Sequence, residues 1–278
     1  MQVPIHEDMT MAKSRNGRRG GRPVALVTGA AQGLGAVIVR TLAAEGFDVI
    51  ANDIAETDAL RAVCAIACES GARVEPLAQD ISCVEALPAF ADKASRLIGG
   101  LDCLVNNAAV SVMNRGDMLD VTPESFDRVM GVNLRGTFFL TQAVAKAMMA
   151  GRAARTPGGR RAIVTISSVG VEHMVGRVVC EYCLSKSALV VMSKHYAVRL
   201  VGEGIDCYDV RPGMMQTAMT AGSKDKYDAL IASGVVPANR WGALQEVAET
   251  ITSLAKGALR YSVGQTIHVD GGMSLKPF

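Results

Sequence analysis

Apolar residues along this chain recur in short runs of strand length, and longer stretches with helical spacing separate these runs. Residues 24–27 form the first run, entered through Pro23 and left through Thr28-Gly29, which predicts a buried strand. Later runs predict strands at residues 49–51, 73–78, 103–106, 162–167, 205–210 and 266–269. Helices are predicted near residues 33–45, 58–69, 85–97, 123–132, 137–149, 181–201 and 245–254.

This alternation predicts an α/β fold, a doubly wound, seven-stranded parallel sheet covered by helices on both faces. Such a sheet binds ligands beyond the carboxyl ends of its strands, at the point where the strand order reverses. We expect one domain over residues 22–278, after a disordered tail at residues 1–21. Residues 214–236, with Gly222 and Gly234, are interpreted as a mobile substrate lid.

Composition narrows the function. The chain has 278 residues, an apolar fraction of 49% and a formal net charge of +2, which gives no reason to expect a nucleic-acid partner. It contains no apolar stretch of the length that spans a bilayer, so no membrane association is predicted. Seven cysteines without a disulfide-like spacing predict reduced thiols and a cytoplasmic protein.

A glycine-rich segment between the first strand and the first helix is the first candidate site. Glycines there permit a tight turn and let backbone N–H groups approach a pyrophosphate, which the positive end of the helix also favours. The predicted contacts in this turn are Gly29, Gln32, Gly33, Leu34 and Gly35. The strand, turn and helix context makes a dinucleotide site the preferred interpretation over a simple tight turn.

Acidic residues follow the second and third strands. A carboxylate at Asp53 can accept hydrogen bonds from ribose hydroxyls and would repel a 2′-phosphate, and Ile54 after it brings no cation. We therefore predict NAD as the cofactor. Asp53 could instead cap a helix, and this alternative role is compatible with ribose binding. Asp80-Ile81 is expected to contact the adenine, and Asn107-Ala108 to let the chain pass close to the cofactor.

Tyr182 and Lys186 are the most informative pair, because their i, i+4 spacing places them on one helical face. A phenol has a pKa near 10, and a nearby ammonium together with the positively charged nicotinamide favours the phenolate. We expect Lys186 to lower the pKa of Tyr182, which would act as the general acid/base. A buried tyrosine beside a solvated lysine is the alternative.

Two further residues complete the predicted catalytic group. Ser168, rather than Ser167, is expected to hold the substrate oxygen at the end of the fifth strand. Asn133 lies in an otherwise apolar helical stretch, and we expect it to bend that helix and to hold a water beside Lys186. A satisfied core amide is the alternative for Asn133.

Taken together, these motifs resemble the short-chain dehydrogenase/reductase family over about residues 22–275. The motifs are Thr28-x-x-x-Gly33-x-Gly35, Asp80, Asn106-Asn107-Ala108, Asn133, Ser168, Tyr182-x-x-x-Lys186, Pro212-Gly213 and Asp270-Gly271-Gly272. The resemblance implies a Rossmann-type sheet, a catalytic tetrad of Asn133, Ser168, Tyr182 and Lys186, and a homotetramer or homodimer. It also implies cofactor contacts from Tyr182, Lys186, Pro212, Gly213 and Thr217.

The chain departs from the family pattern at two places. Ala109 replaces a usual glycine, and the interval from Ser168 to Tyr182 is one residue longer than is common. That interval carries Glu172 and His173, for which both a substrate-facing and a solvent-facing position stay open.

The predicted activity is interconversion of a secondary alcohol and a ketone with NAD(H). The alternatives are an NADPH-dependent 3-oxoacyl-carrier-protein reductase and a dinucleotide-sensing protein without catalysis. No metal site is predicted, although Cys180-x-x-Cys183 resembles half of a zinc site. An adaptable substrate pocket is suggested by the apolar residues Met214, Met215, Met219, Ile231 and Val235. Ordinary packing of these side chains is equally compatible with the sequence.

Overall fold

The computed structural model describes residues 21–173, 178–218 and 220–275. The predicted tail lies outside this part of the chain except for Gly21, and Met219 of the predicted lid lies outside it as well.

Seven strands form one sheet in the order β3-β2-β1-β4-β5-β6-β7, and every pairing is parallel. The strands are β1 (Val24–Thr28), β2 (Asp48–Asp53), β3 (Val74–Ala78), β4 (Cys103–Asn106), β5 (Arg161–Ile166), β6 (Ile205–Pro212) and β7 (Thr266–Val269). The order reverses between β1 and β4, so the predicted doubly wound sheet is confirmed and its crevice lies beyond the ends of these two strands.

Helices connect successive strands and cover both faces of the sheet. They are α1 (Gly33–Ala44), α2 (Asp58–Cys68), α3 (Leu87–Leu97), α4 (Pro123–Val129), α5 (Thr137–Ala150), α6 (Cys180–Leu200), α7 (Lys224–Ala232) and α8 (Leu244–Ala255). Among the described residues, no helix is both long and apolar enough to cross a bilayer.

The structure differs from the predicted helices at three places. The predicted helix 123–132 ends as α-helix at Val129 and continues as a π-helix over Met130–Gly136. The predicted helix 85–97 begins as a 3-10 turn, Val84–Ala86, because Pro88 in the first turn of α3 favours a new start there. Helix α7, which was not predicted, lies inside the segment interpreted as a substrate lid.

The core lies on both faces of the sheet, as the continuous apolar strands require. Strand β1 shows the division: Ala25 and Val27 pack into the cluster under α1, α2 and α8, whereas Val24 and Leu26 pack into the cluster under α3, α5 and α6. All four side chains are fully buried. Because both faces are closed, the polar residues at the strand ends are left to line the crevice.

Candidate active site

A cleft of about 940 Å³ opens at the carboxyl ends of the strands. Its lining includes Gly29, Gly33 and Asp53 at one end and Ser168, Tyr182 and Lys186 at the other. The structure therefore brings residues from four separate segments of the sequence into one cavity. This is the position that the topology of an open parallel sheet favours for a ligand.

The glycine turn after β1 is closed by close backbone approach. A Cβ added at Gly35 would lie 2.0 Å from the carbonyl oxygen of Gly29, and one added at Gly29 would lie 2.9 Å from Cα of Ala108. Asn107 braces the turn, because its Nδ2 donates to the carbonyl oxygens of Thr28 (2.8 Å) and Gly29 (3.0 Å). Glycine is therefore required at both positions by packing.

Gly33 differs from these two glycines. Its φ is +55°, and a Cβ built there would meet no atom within 4 Å. Gln32, the N-cap of α1, makes no side-chain capping bond. Open space beside uncapped N–H groups is the arrangement that accepts a phosphate, so this end of the cleft fits the pyrophosphate of a dinucleotide.

Asp53 ends β2 and is fixed by backbone donors. Its Oδ2 accepts from the N–H of Ala31 at 2.9 Å, and its Oδ1 accepts from the N–H of Ile54 at 2.8 Å. The alternative N-cap role for Asp53 is wrong, because the side chain of Thr57 caps α2. The carboxylate thus ties the second strand to the glycine turn and retains lone pairs for a ligand.

At the end of β3, Asp80 accepts from both the N–H and the Oγ of Ser82, each at 2.8 Å. Asp80 and Ile81 line the same cleft as Asp53, as do Gln32, Leu34, Ile54, Ala108, Pro212, Gly213 and Thr217. Every predicted cofactor contact therefore lies in one cavity, and the contacts themselves stay predictions.

Asn133 is fully buried in the middle of the π-helix. Its Oδ1 accepts from the N–H of Val110 (2.8 Å), and its Nδ2 donates to the carbonyl of Val110 (3.0 Å) and to Oγ of Ser185 (3.1 Å). The predicted local change of the helix at Asn133 is therefore present. Its amide is also satisfied in the core, so the two interpretations of this residue hold together, and the water stays a prediction.

The opposite end of the cleft holds the predicted acid/base group. Lys186 lies on α6 with Tyr182, and its Nζ donates to the carbonyl of Ile166 at 2.8 Å. The same Nζ lies 5.8 Å from the centre of the Tyr182 ring. Ser168 caps the short 3-10 helix Val169–Val171 by accepting from the N–H of Gly170, and its hydroxyl also hydrogen-bonds with Tyr182.

Burial controls the ionisation of this group. Desolvation raises the pKa of Tyr182 to about 12. The hydrogen bond with Ser168 has the opposite, smaller effect, because it favours the phenolate. Desolvation also lowers the pKa of Lys186 to about 8, although the negative charge of Asp209 opposes that shift. Without a cofactor, burial outweighs the hydrogen bond from Ser168 and holds the pKa of Tyr182 above its ordinary value. The expected lowering of this pKa by Lys186 and a positively charged nicotinamide stays a prediction.

The two adjacent serines at the end of β5 are distinguished by their partners. Ser168 interacts with Tyr182, whereas Oγ of Ser167 is buried without a hydrogen-bond partner among the described residues. The geometry therefore favours Ser168 for the substrate oxygen, as the sequence did.

The lid segment contains its own small core and a helix. Met214 and Met215 line the cleft, and Met214 also packs with Ile231 and Val236 in a satellite cluster, so both interpretations of Met214 apply. Val235 is exposed. Sequence reasoning missed the residues of α7 that line the cleft, which are Lys226, Tyr227 and Leu230. The i, i+3, i+4 spacing of Tyr227, Leu230 and Ile231 was a helical signal that the neighbouring glycines obscured.

Glu172 and His173 take different positions. The Glu172 carboxylate pairs with the buried guanidinium of Arg211, while His173 lines the cleft. Sequence reasoning missed both Arg211 and Asp209, which pair with each other on β6 and also bind the distant residues Glu172 and Thr266, respectively. Cys180 and Cys183 are free thiols, and the described residues contain no group of three or more potential metal ligands.

The sequence and structure of the chain are similar to those of known oxidoreductases. A family model described as enoyl-(acyl carrier protein) reductase matches residues 29–274. The chain belongs to the short-chain dehydrogenase/reductase family. Members of this oxidoreductase family bind a nicotinamide dinucleotide, for which the cleft and glycine turn described above are suited.

Three relatives illustrate the match. The 3-oxoacyl-[acyl-carrier-protein] reductase of Escherichia coli is 34% identical over 250 residues, which cover 90% of this chain and 96% of the relative. A Brucella melitensis 3-oxoacyl-[acyl-carrier protein] reductase in complex with NAD is 42% identical, with a TM-score of 0.88 over 93% of this chain and all of that one. A metagenomic blue fluorescent protein in complex with NADPH is 30% identical, with a TM-score of 0.81 over 92% of this chain and 99% of that one.

Proposed function

We propose that this protein is an NAD(H)-dependent oxidoreductase that interconverts a secondary alcohol and a ketone, with Tyr182 as the general acid/base. The observation that carries the proposal is the shared cleft. The Tyr182 phenol, in contact with Ser168, opens into the same cavity as the glycine turn and the Asp53 carboxylate. A bound nicotinamide dinucleotide would supply or accept the hydride in that cavity.

The residues proposed to hold this cofactor follow the cleft from end to end. They are Gly29, Gln32, Gly33, Leu34, Gly35, Asp53, Ile54, Asp80, Ile81, Asn107, Ala108, Tyr182, Lys186, Pro212, Gly213 and Thr217. Uncapped N–H groups at the start of α1 suit the pyrophosphate, and the acids at the ends of β2 and β3 suit the adenosine half.

In the direction of reduction, Tyr182 donates its phenolic proton to the substrate oxygen as negative charge develops there. Ser168 orients that oxygen with its hydroxyl. Lys186 retains a proton near neutral pH, since its pKa is about 8, and its charge favours the phenolate that remains. Asn133 holds the chain at Val110 against α6 through Ser185, and we assign it the relay of protons away from Lys186.

Gly33 offers a direct test of cofactor binding. Gly33→Ala places a methyl group in the open space where a phosphate would lie, so we expect NADH affinity to fall at least tenfold in a fluorescence titration. Gly46→Ala is the matched control, because Gly46 also has a positive φ and open space around a built Cβ but lies at the far end of α1. Both variants carry similar backbone strain of about 1 kcal/mol, and equal affinities would contradict the assignment.

Asp53 tests the choice of cofactor. We expect the wild-type ratio of kcat/KM with NADH to that with NADPH to be at least ten, since the carboxylate repels a 2′-phosphate. Asp53→Asn should lower this ratio about tenfold, which corresponds to about 1.4 kcal/mol of repulsion. Asp80→Asn, at the end of the next strand, is the control and should leave the ratio unchanged. A wild-type preference for NADPH would overturn the NAD assignment.

A second candidate function is reduction of 3-oxoacyl thioesters with NADPH. The names of the Escherichia coli and Brucella melitensis relatives favour this substrate, and the Brucella structure contains NAD. The two proposals are separated by the rates of reduction of a 3-oxoacyl thioester with NADH and with NADPH, measured as the loss of absorbance of the reduced nicotinamide. The same assay with a panel of alcohols and ketones tests the non-catalytic alternative, for which NADH binding without any turnover would be the result.

We also propose that copies of the chain associate as a homotetramer or homodimer. Apolar side chains are exposed along one stripe of α6 at seven-residue spacing, at Leu184, Val191 and Val198, and Phe138 on α5 is partly exposed as well. Contiguous exposed apolar residues on neighbouring helices are typical of subunit contacts.

A further inference from the structure

A buried charged cluster lies on the face of β6 that α6 covers. Ile205 and Cys207 of this strand pack into the apolar cluster under α3, α5 and α6. Because side chains alternate between the two faces of a strand, Asp209 and Arg211 project toward the same side. Both are almost fully buried, with exposures of 1% and 3%. Charges in such a place require partners in the interior, and those partners show what each charge acts on.

The Asp209 carboxylate is only partly paired. Its Oδ2 accepts from Nη2 of Arg211 at 3.2 Å and from Oγ1 of Thr266 at 3.0 Å. Its Oδ1 is buried and has no hydrogen-bond partner among the described residues. Arg211 also donates to the Glu172 carboxylate, from which Nε2 of His268 lies 3.6 Å away. Because two carboxylates share one guanidinium, Asp209 keeps negative charge that acts on other groups nearby.

Lys186 approaches the same region from α6. Its Nζ donates to the carbonyl of Ile166, the last residue of β5, and the N–H of Ser167 donates to the carbonyl of Val210 on β6 at 3.0 Å. Val210 directly follows Asp209, and neighbouring strands lie about 4.8 Å apart. The ammonium and the carboxylate therefore lie at adjacent strand ends beneath one helix, and both are buried.

The two buried groups act on each other through space. Desolvation lowers the pKa of Lys186 to about 8, and the negative charge of Asp209 opposes this shift. The attraction is stronger than it would be in water, because the effective dielectric constant of the interior is lower. The titratable and charged groups around this region are Tyr182 on α6, Asp209 and Arg211 on β6, His268 on β7, Glu172 and His173 after β5, and Tyr227 on α7 across the cleft.

We propose that Asp209 is a positioning residue that keeps the Lys186 ammonium charged during the reaction, as its counter-ion in the protein interior. This inference rests on the proposed function and adds to it a residue that does not line the cleft. A charged Lys186 stabilises the Tyr182 phenolate that remains when the proton leaves for the substrate oxygen. Asp209 thus sets the upper limit of the pH range in which carbonyl reduction is fast.

The test is the pH profile of kcat for reduction of a carbonyl compound that the wild type turns over. Wild-type kcat should fall as pH rises through the apparent pKa of Lys186. In Asp209→Asn this basic limb should move about one pH unit toward acid, so that roughly a fifth of wild-type turnover remains at pH 8 or so, and at least half at about pH 6. Asp209→Glu retains the charge and should restore the wild-type limb.

Asp206→Asn is the matched control. Asp206 is also buried on β6 and binds a guanidinium, since Nε of Arg160 donates to its Oδ2 at 2.9 Å. Its charge acts on Cys207 and Tyr208, at the other end of the strand from Lys186. This variant should lose stability and keep the basic limb of the wild type, so a purely structural effect is separated from an electrostatic one.

Glu172→Gln is a second variant, at a side chain that is 44% exposed. It removes the carboxylate that competes for Arg211, so Asp209 is neutralised more completely and the limb should move toward acid by less than in Asp209→Asn. This variant decides the question if Asp209→Asn does not fold, as judged by circular dichroism. An unmoved limb in these variants, or an equal movement in Asp206→Asn, would overturn the role of Asp209.

Absence of turnover of any carbonyl compound by the wild-type protein would instead refute the proposed function. The electrostatic link is then measured without substrate, by NMR of the protein labelled with ¹³C at the lysine ε carbons. The resonance that is missing from Lys186→Arg should titrate near pH 8 in the wild type and about one pH unit lower in Asp209→Asn. An ordinary lysine titrates near 10.4. Equal midpoints in the two proteins would show that Asp209 does not act on Lys186.

Discussion

Tyr182→Phe is expected to reduce turnover by about 10²–10⁴-fold, the usual contribution of a positioned acid/base, while NADH affinity changes less than twofold. The substitution removes one oxygen and leaves the ring in place on α6. The measurements are steady-state rates on any substrate that the wild type turns over, together with a fluorescence titration of NADH.

The physical reason lies in the ionisation of the cleft. Because burial raises the pKa of Tyr182 to about 12, the phenol holds its proton at neutral pH and is ready to donate it. Lys186 has a pKa lowered to about 8, so it is mostly protonated at neutral pH and stabilises the Tyr182 phenolate left after proton donation. Phenylalanine has no acidic proton to give.

Tyr196→Phe is the matched control, since Tyr196 lies on the same helix and its hydroxyl donates to the carbonyl of Phe138 at 3.0 Å. Its loss should cost about 1 kcal/mol of stability and leave turnover intact. Turnover of Tyr182→Phe within threefold of the wild type would show that another group transfers the proton.

Much of the fold was predictable because local chemistry and global topology agree. The apolar run of β1 predicts a buried strand, and its side chains are buried on both faces of the sheet. Glycine is required at Gly35 and Gly29 because a Cβ there would lie 2.0 and 2.9 Å, respectively, from backbone atoms. A parallel sheet with its ligand site at the strand ends then follows from the alternation of strands and helices.

What could not be predicted depends on contacts between distant residues. Arg211 is buried in β6, and its carboxylate partner Glu172 lies 39 positions earlier in the sequence, so this pairing becomes visible only in the fold. The rise that burial causes in the pKa of Tyr182 could not be predicted either, since the depth of a cleft is a property of the assembled fold. Helix α7 was hidden by the glycines beside it, although its apolar spacing was regular.

Removal of the Asp102 carboxylate is expected to have the largest effect on stability. Asp102 is fully buried before β4, pairs with Arg152 through both oxygens (3.0 and 2.6 Å), and accepts from the backbone N–H groups of Val24 and Arg155. It therefore joins the start of β1 to the loop before β5. Breaking a buried pair by removing one partner costs about 3–5 kcal/mol, so Asp102→Ala should shift the urea midpoint downward by a corresponding amount.

Asp92→Ala is the control, because Asp92 pairs with Arg96 on the exposed face of α3 and such pairs contribute less than about 1 kcal/mol. If both variants lost the same stability, the buried network would not hold the sheet together as described.

The pH dependence of this network has a defined sign. Burial alone would raise the pKa of Asp102, but the bonds from Arg152, Arg155 and Val24 outweigh it and lower the pKa below the ordinary value. A carboxyl with a lowered folded pKa contributes stability above its unfolded pKa of about 3.9 and loses it as pH falls further. The free energies of unfolding of the wild type and Asp102→Ala should thus differ most at about pH 6–7, where linkage predicts that the carboxylate makes its full contribution. The difference should narrow once pH drops below about 4, and a constant difference across that range would contradict the charged role of Asp102.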